Sequence, residues 1–248
     1  MTSLCEDASL GVMITARRAM HRPRPPRVAV VAPPPLQSGD KLTASEFLRR
    51  FDAMPELKKA ELINGIVYMA SPVRAKQHGT PDSIVQVWLG TYYAHTPGTR
   101  IAANSTVRFD ADNVPQPDAL LMIEPGGGAS IGKDGYVHGA PELVVEIAAS
   151  SVSLDLHEKQ DAYRRAGVLE YLVWRTEDQA VDWFVLEDEK FIRLTPARNG
   201  TLESRTFPGL VLDVPALLRE DAGALLARLN KSLGKPAHKN FAAQLKKA

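Results

Sequence analysis

Apolar residues in the middle of the chain form short runs that predict buried strands. The segment ELVVEIA, residues 142–148, is almost continuously apolar, as expected for a strand that is buried on both faces. Side chains alternate along a strand, so Glu146 lies on one face between two apolar neighbours. The runs ALLMI (119–123) and EYLVW (170–174) predict two further strands of this kind.

The residues between the last two strands predict a helix over 154–166. Ser153 can cap its first turn, and Asp155 favours the positive end of the helix dipole. Residues three and four apart share a helix face, so Lys159 lies on the half-apolar face that carries Tyr163. We therefore expect Lys159 to point toward the sheet, Tyr163 to pack in the core and Asp155 to stabilise the start of the helix.

The amino-terminal half predicts a short helix, a hairpin and a longer helix. Residues 44–54 form the short helix, and Asn-Gly at 64–65 stands between apolar runs, which predicts a type I′ hairpin. Glu61 precedes that turn, and the sequence leaves two interpretations of it open: a solvated strand residue or a site residue. A helix with a strong apolar side follows over 83–95, and His78 stands just before it as a capping residue or a site residue.

The rest of the chain contributes further strands and helices. The glycine-rich segment 126–135 lacks the Gly-Lys-Ser/Thr of a phosphate-binding loop, so we interpret it as a flexible loop of the kind that can border an active site. Residues 180–186 and 190–195 predict a hairpin, and residues 215–229 predict an amphipathic helix. Strands joined by both hairpins and a helical crossover indicate an α+β (mixed α/β) fold.

Composition and charge divide the chain into three parts. Residues 1–38 predict a flexible Pro/Arg-rich leader, residues 39–218 the folded domain, and residues 219–248 a carboxy-terminal helix and basic tail. The formal net charge is +1, yet residues 39–227 hold 19 basic and 27 acidic residues. The core therefore lacks the basic excess typical of nucleic-acid binders, and basic termini would supply phosphate contacts or simply be solvated.

The overall composition excludes several classes of protein. With 248 residues, 44% hydrophobic and 24% charged, the chain is typical of a globular protein. No apolar run approaches the roughly 20 residues of a membrane span. The single cysteine, Cys5, excludes an intramolecular disulfide and a Cys-rich zinc site. The start lacks a secretory signal, so we expect a cytoplasmic protein with no membrane partner.

Two acids and a lysine form the candidate chemical site. Asp118 follows Pro117 at the entrance of the ALLMI strand, and Glu146 lies in the middle of another strand. A buried carboxylate needs a partner or a metal. Two carboxylates can hold Mg²⁺ or Mn²⁺, and Lys159 could orient water or stabilise the charge of the transition state, which suffices for phosphodiester hydrolysis.

Each of these residues also has a structural interpretation. Asp118 could cap a turn after the proline, and Lys159 could be a solvated helix residue. Glu146 could pair with Arg164 or Arg165.

The order of these residues resembles the PD-(D/E)XK nuclease superfamily, and several motifs are similar to its Uma-two type restriction-endonuclease family. The resemblance covers roughly residues 42–195. The motifs that carry it are ELING (61–65), His78, PDALLM (117–122), ELVVEIAASS (142–151) and the run from Asp155 through Lys159, Tyr163 and Gly167 to Tyr171.

The resemblance implies a restriction-endonuclease-like core with a mixed central β-sheet flanked by helices. The residue patterns described above add an amino-terminal hairpin and flexible basic termini. It implies that Asp118 and Glu146 bind Mg²⁺ or Mn²⁺ and that Lys159 is the catalytic lysine, with Glu61 and His78 as additional site residues. DNA is then the expected partner, and a homodimer the expected assembly.

Three functions are compatible with the sequence. The first is a Mg²⁺-dependent endonuclease that hydrolyses DNA phosphodiester bonds. The second is a non-catalytic nucleic-acid- or protein-binding module on a nuclease-like scaffold, because a fold does not fix a function. The third is metal-dependent hydrolysis of another phosphoester.

Overall fold

The computed structural model describes residues 32–70 and 74–247. The predicted leader, residues 1–38, lies almost wholly outside this part of the chain and stays a prediction. Leu36 is already buried and packs in a small cluster with Phe47 and Leu62. The described chain is therefore folded from at least residue 36 onward.

Strands and helices are interspersed along the described chain. The strands are β1 (Ala60–Ile63), β2 (Ile66–Met69), β3 (Thr99–Ala103), β4 (Val107–Arg108), β5 (Ala119–Ile123), β6 (Ala129–Ile131), β7 (Val137–Gly139), β8 (Leu143–Ala148), β9 (Glu170–Arg175), β10 (Ala180–Glu187), β11 (Lys190–Arg193), β12 (Thr201–Glu203) and β13 (Val211–Asp213). The helices are α1 (Ala44–Asp52), α2 (Thr80–His95), α3 (Val152–Leu156), α4 (Glu158–Ala166), α5 (Val214–Leu218), α6 (Ala222–Leu233) and α7 (Pro236–Leu245). A π-helical turn, Ala75–Gly79, runs directly into α2.

A six-stranded mixed sheet with the order β11-β10-β9-β8-β5-β3 forms the core. Strands β8 and β9 are parallel and are connected through α3 and α4, whereas the other neighbouring strands are antiparallel. The predicted mixed central sheet with flanking helices is confirmed.

Both faces of this sheet are covered, which explains the continuous apolar runs in its strands. On one face, Val145 shares a core cluster with Trp88 of α2 and Leu225 of α6. On the other face, Val144 shares a cluster with Tyr163 of α4. Glu146 has the same strand face as Val144, so its carboxylate points toward α4.

Strand register brings the two predicted acids together. Ala119 pairs with Val145 in the antiparallel ladder of β5 and β8, and extending this register by one residue sets Asp118 beside Glu146. The amide of Ile147 donates to Asp118 Oδ2 over 2.8 Å. Asp118 therefore ends the pairing of β5 with β8 through its side chain.

Several local predictions are confirmed. The short helix predicted over 44–54 is α1, and Thr43 caps it by accepting from the amide of Glu46. Asn64 and Gly65 both have positive φ, 52° and 74°, in the turn between β1 and β2, as a type I′ hairpin requires. The predicted hairpin after EYLVW is formed by β10 and β11.

The single helix predicted over 154–166 is wrong, because α3 and α4 are separated at His157. Helix α3 begins at Val152, before the predicted cap Ser153. The hydroxyl of Ser151 donates to the Asp155 carboxylate over 2.6 Å. In a continuous helix the carbonyl of Asp155 would accept from the amide four residues later. It accepts instead from the Tyr171 hydroxyl over 2.9 Å.

The prediction of a flexible loop over 126–135 is also wrong. Strands β6 and β7 of this region form a hairpin within a three-stranded sheet that includes β4. The buried carboxylate of Glu142 accepts from the amides of Ile123 and Gly128 and anchors the segment. The segment does not line the cleft that contains Asp118 and Glu146.

The carboxy-terminal region is more ordered than a tail. The helix predicted over 215–229 is two helices, α5 and α6, because Glu220 has a positive φ of 56° and Asp221 caps α6. Helix α7 follows, and its buried His238 lies 2.9 Å from the Thr96 hydroxyl at the end of α2. Among the described residues, no helix is long and apolar enough to cross a membrane.

Candidate active site

A cleft of about 670 Å³ opens where β1, β5 and β8 meet the start of α2 and the helices α3 and α4. All five sequence-predicted site residues line it. Its ionisable side chains include Lys59, Glu61, His78, Asp118, Glu146, Asp155 and Lys159. The structure thus brings together residues that are separated by up to a hundred positions in the chain.

Asp118 is buried and held from three sides. Its Oδ2 accepts from the amide of Ile147 and lies 3.2 Å from His78 Nε2, and its Oδ1 accepts from Lys59 Nζ over 2.7 Å. Burial alone would raise the pKa of Asp118, but the His78 hydrogen bond and the Lys59 charge lower it below its usual range. Asp118 is therefore a carboxylate, compatible with cation binding.

Lys159 joins three acids inside the protein. Its Nζ lies 2.6 Å from Glu146 Oε1, 3.0 Å from Glu61 Oε1 and 3.6 Å from Asp155 Oδ1. The prediction that Lys159 points toward the sheet is confirmed, because only 3% of its side chain is exposed. The alternative pairing of Glu146 with Arg164 or Arg165 is wrong.

The arginines instead contact Asp161 on their own helix. Glu146 receives a second hydrogen bond from Tyr163, whose hydroxyl donates to Oε1 over 2.6 Å. Tyr163 packs in the core as predicted and also orients this carboxylate, a role that the sequence pattern did not indicate.

Glu61 is a buried residue of β1, so its interpretation as a solvated strand residue is wrong. Its Oε1 accepts from the amide of Gln116 over 2.7 Å, and Oε2 accepts from Lys159 over 3.2 Å. The side chain thereby connects the hairpin to the segment that leads into Asp118.

The buried network contains more acid than base. Burial raises the pKa of Glu146, although the Lys159 ammonium opposes this shift, and burial also raises the pKa of Asp155. Burial would lower the pKa of Lys159, but the carboxylates of Glu146, Glu61 and Asp155 raise it well above its usual range. Three carboxylates therefore share one ammonium group, and the network has capacity for a further positive charge.

Two members of the cleft were missed by sequence reasoning. Lys59 stands two residues before Glu61, so strand alternation could have assigned both to the same face. Asp155 was interpreted as a helix-terminal acid, but its carboxylate is buried beside Lys159. The four-residue spacing of Asp155 and Lys159 was a usable signal for that contact.

The donor set of the cleft fits a hard divalent cation. Asp118 and Glu146 supply carboxylate oxygens, which Mg²⁺ and Mn²⁺ prefer, and the excess of acid favours added positive charge. Within residues 32–70 and 74–247, no group of three or more His, Cys, Asp or Glu side chains is arranged to hold an ion. The ammonium groups of Lys59 and Lys159 lie against the two candidate ligands.

Comparisons with known proteins place the chain in a family. Residues 44–215 match the family described as "Uma2: Putative restriction endonuclease". The chain belongs to this family. The resemblance seen in the sequence motifs is thereby confirmed. A search of curated proteins gave no significant match.

A solved structure shares the fold of this Uma2 family member. It is described as a putative nuclease belonging to DUF820 from Anabaena variabilis ATCC 29413. The similarity covers 70% of this chain and 97% of that chain, with a TM-score of 0.55 and 16% sequence identity. At that identity the likeness shows a common restriction-endonuclease-like fold, and the chemistry has to be argued from the cleft.

Proposed function

We propose that this Uma2 family member is a divalent-metal-dependent endonuclease that hydrolyses DNA phosphodiester bonds. The observation that carries the proposal is the meeting of Asp118, Glu146 and Lys159 in one cleft. Family membership and the shared fold support a nuclease. Mg²⁺ or Mn²⁺, and DNA as the substrate, belong to the proposal.

Asp118 and Glu146 would hold the cation. An ion at this position would neutralise charge on a phosphate and lower the pKa of a water molecule. His78 and the Ile147 amide keep the Asp118 carboxylate in position, and Tyr163 does the same for Glu146. Such fixed ligands favour a reactive geometry that needs little rearrangement.

Lys159 would act next to Glu146. Its protonated amino group is held by three carboxylates, and it would stabilise negative charge that develops on the phosphate or orient the attacking water. Glu61 would act through Lys159 as a positioning residue, because its carboxylate contacts that ammonium group.

A non-catalytic binding module is the second candidate. One observation favours it: Asp118 and Glu146 already have lysine partners, as structural ion pairs would. A cytoplasmic location and a homodimer remain predictions from the sequence and its family resemblance.

Supercoiled plasmid incubated with Mg²⁺ or Mn²⁺ tests the proposal. We expect metal-dependent nicking by the wild type and losses of about a hundredfold or more in the variants Asp118→Asn, Glu146→Gln and Lys159→Met. Matched controls at exposed positions, Asp188→Asn and Lys133→Met, should cut as the wild type does.

Equal nicking by the wild type and the three cleft variants would refute the site. A wild type that neither binds these ions nor cuts plasmid would favour the binding module.

A further inference from the structure

We propose that Lys59 competes with the metal for Asp118 and, once displaced, binds the phosphate of the substrate. This inference rests on the proposed function and assigns a role to a residue that the family motifs did not mark. It starts from the 2.7 Å contact between Lys59 Nζ and Asp118 Oδ1.

The two oxygens of Asp118 differ in their surroundings. Oδ2 accepts from the Ile147 amide and lies beside His78. Both Ile147 and His78 belong to the wall of the cleft. Oδ1 is contacted by Lys59. A cation that binds Asp118 through Oδ1 therefore meets the Lys59 ammonium group, and repulsion between the two positive charges favours displacement of Lys59.

Of the two cleft lysines, Lys59 is the one that can move. The Lys159 side chain is 3% exposed and has three carboxylates around its amino group. The Lys59 side chain is 24% exposed, and among the described residues its amino group makes a salt bridge with Asp118 alone. Displacing Lys59 takes one ion pair apart and moves the ammonium group toward solvent, whereas displacing Lys159 would leave a set of buried carboxylates without their cation.

A displaced Lys59 remains at the cleft. The residue directly precedes β1, whose Glu61 is fixed by the Gln116 amide, so the backbone of Lys59 stays in place. A lysine on a flexible stem is a common phosphate ligand and acts as a point charge. Binding of the cation would thus free a positive charge for the substrate at the same position.

A structural ion pair is the opposing interpretation, and the two differ in their effect on ion affinity. If Lys59 competes with the cation, Lys59→Met should bind Mn²⁺ about tenfold or more tightly than the wild type, because one repulsive and competing charge is gone. If Lys59 only stabilises the fold, the variant should bind Mn²⁺ equally or more weakly. Isothermal titration with Mn²⁺ on the folded proteins measures this difference.

Two further variants separate charge from packing. Lys58→Met is the matched control, because Lys58 is exposed and its amino group bonds the carbonyl of Pro55 instead of the cleft. Lys59→Arg keeps the charge and should keep the wild-type affinity for Mn²⁺ within a few-fold. A thermal melt of each variant checks that the fold is retained.

The phosphate role is tested with DNA in Ca²⁺, at several salt concentrations. Lys59→Met should weaken duplex binding and lower the slope of log affinity against log salt by about one, as expected for the loss of one phosphate contact. An unchanged slope, or plasmid nicking at the wild-type rate, would overturn the phosphate role.

Parallel measurements distinguish the two proposals. If the wild type nicks plasmid but Lys59→Met shows unchanged Mn²⁺ affinity, only the displacement by metal is refuted. If Lys59→Met binds Mn²⁺ more tightly while the wild type cuts no DNA, the competition at Asp118 stands and the endonuclease proposal fails. If the wild type does not bind Mn²⁺ at all, both are refuted.

Discussion

Replacing Lys159 by methionine should destabilise the protein strongly, because this ammonium group contacts three buried carboxylates. Methionine keeps most of the side-chain volume, so the change removes charge with little loss of packing. Removing one partner of a buried ion pair typically costs about 3–5 kcal/mol. For a domain of this size, that loss corresponds to a fall in Tm of roughly 6–20 °C.

The loss of stability in Lys159→Met should increase as pH rises. Without Lys159, the carboxylates of Glu146 and Asp155 are harder to ionise, so their pKa values rise further above the unfolded values. Acids with raised pKa values destabilise the folded state as pH increases. The difference in Tm between variant and wild type should therefore be larger at about pH 8.5 than at about pH 6.

Thermal denaturation of the wild type, Lys159→Met and the exposed control Lys133→Met at both pH values measures this effect. The control should melt within about 1 °C of the wild type, as expected for a surface substitution. A Lys159→Met protein that melts within about 2 °C of the wild type at the higher pH would refute the reasoning. Its carboxylates would then not need the ammonium group.

Three further predictions concern single contacts of the site and the fold. Tyr163→Phe removes the hydrogen bond to Glu146 and should lower the free energy of unfolding in urea by about 1–3 kcal/mol; no change would show that this bond is dispensable. The hydrogen bond with Asp118 raises the pKa of His78 from 6.5, so His78→Gln should destabilise the protein most at about pH 6 and progressively less as pH rises through the folded pKa. Tm measures this effect, and a Tm difference from the wild type that does not change with pH would contradict it. Gly209 has a φ of 91°, and the Cβ of Gly209→Ala would lie 2.7 Å from a side chain of α7, so the substitution should loosen the packing of α7. Limited proteolysis should then cut the carboxy terminus faster than in the wild type, and equal rates would contradict this packing.

The central strands and the pair of acids could be predicted from sequence because their signals are local. Continuous apolar runs indicate strands covered on both faces, and Glu146 stands out inside such a run. The Asn64-Gly65 turn likewise has a strong local signal. Proline at position 117 fixed Asp118 at the entrance of β5, where the structure shows it.

Other features depend on contacts between distant residues, which local patterns do not contain. The break between α3 and α4 involves a hydrogen bond from Tyr171 to the Asp155 carbonyl, 16 residues away in sequence. The burial of Glu61 depends on contacts with Gln116 and Lys159. Glycines suggested a flexible loop at 126–135, but strand pairing and the Glu142 carboxylate order that segment.

The most direct test of the metal-dependent site is an anomalous difference map from crystals of the protein soaked in Mn²⁺. We expect one strong peak within coordination distance of a carboxylate oxygen of Asp118 and one of Glu146, with no peak there in Asp118→Asn crystals treated in the same way. A fully soaked wild-type crystal with no peak in the cleft, and with Lys59 and Lys159 still paired to these carboxylates, would contradict the account.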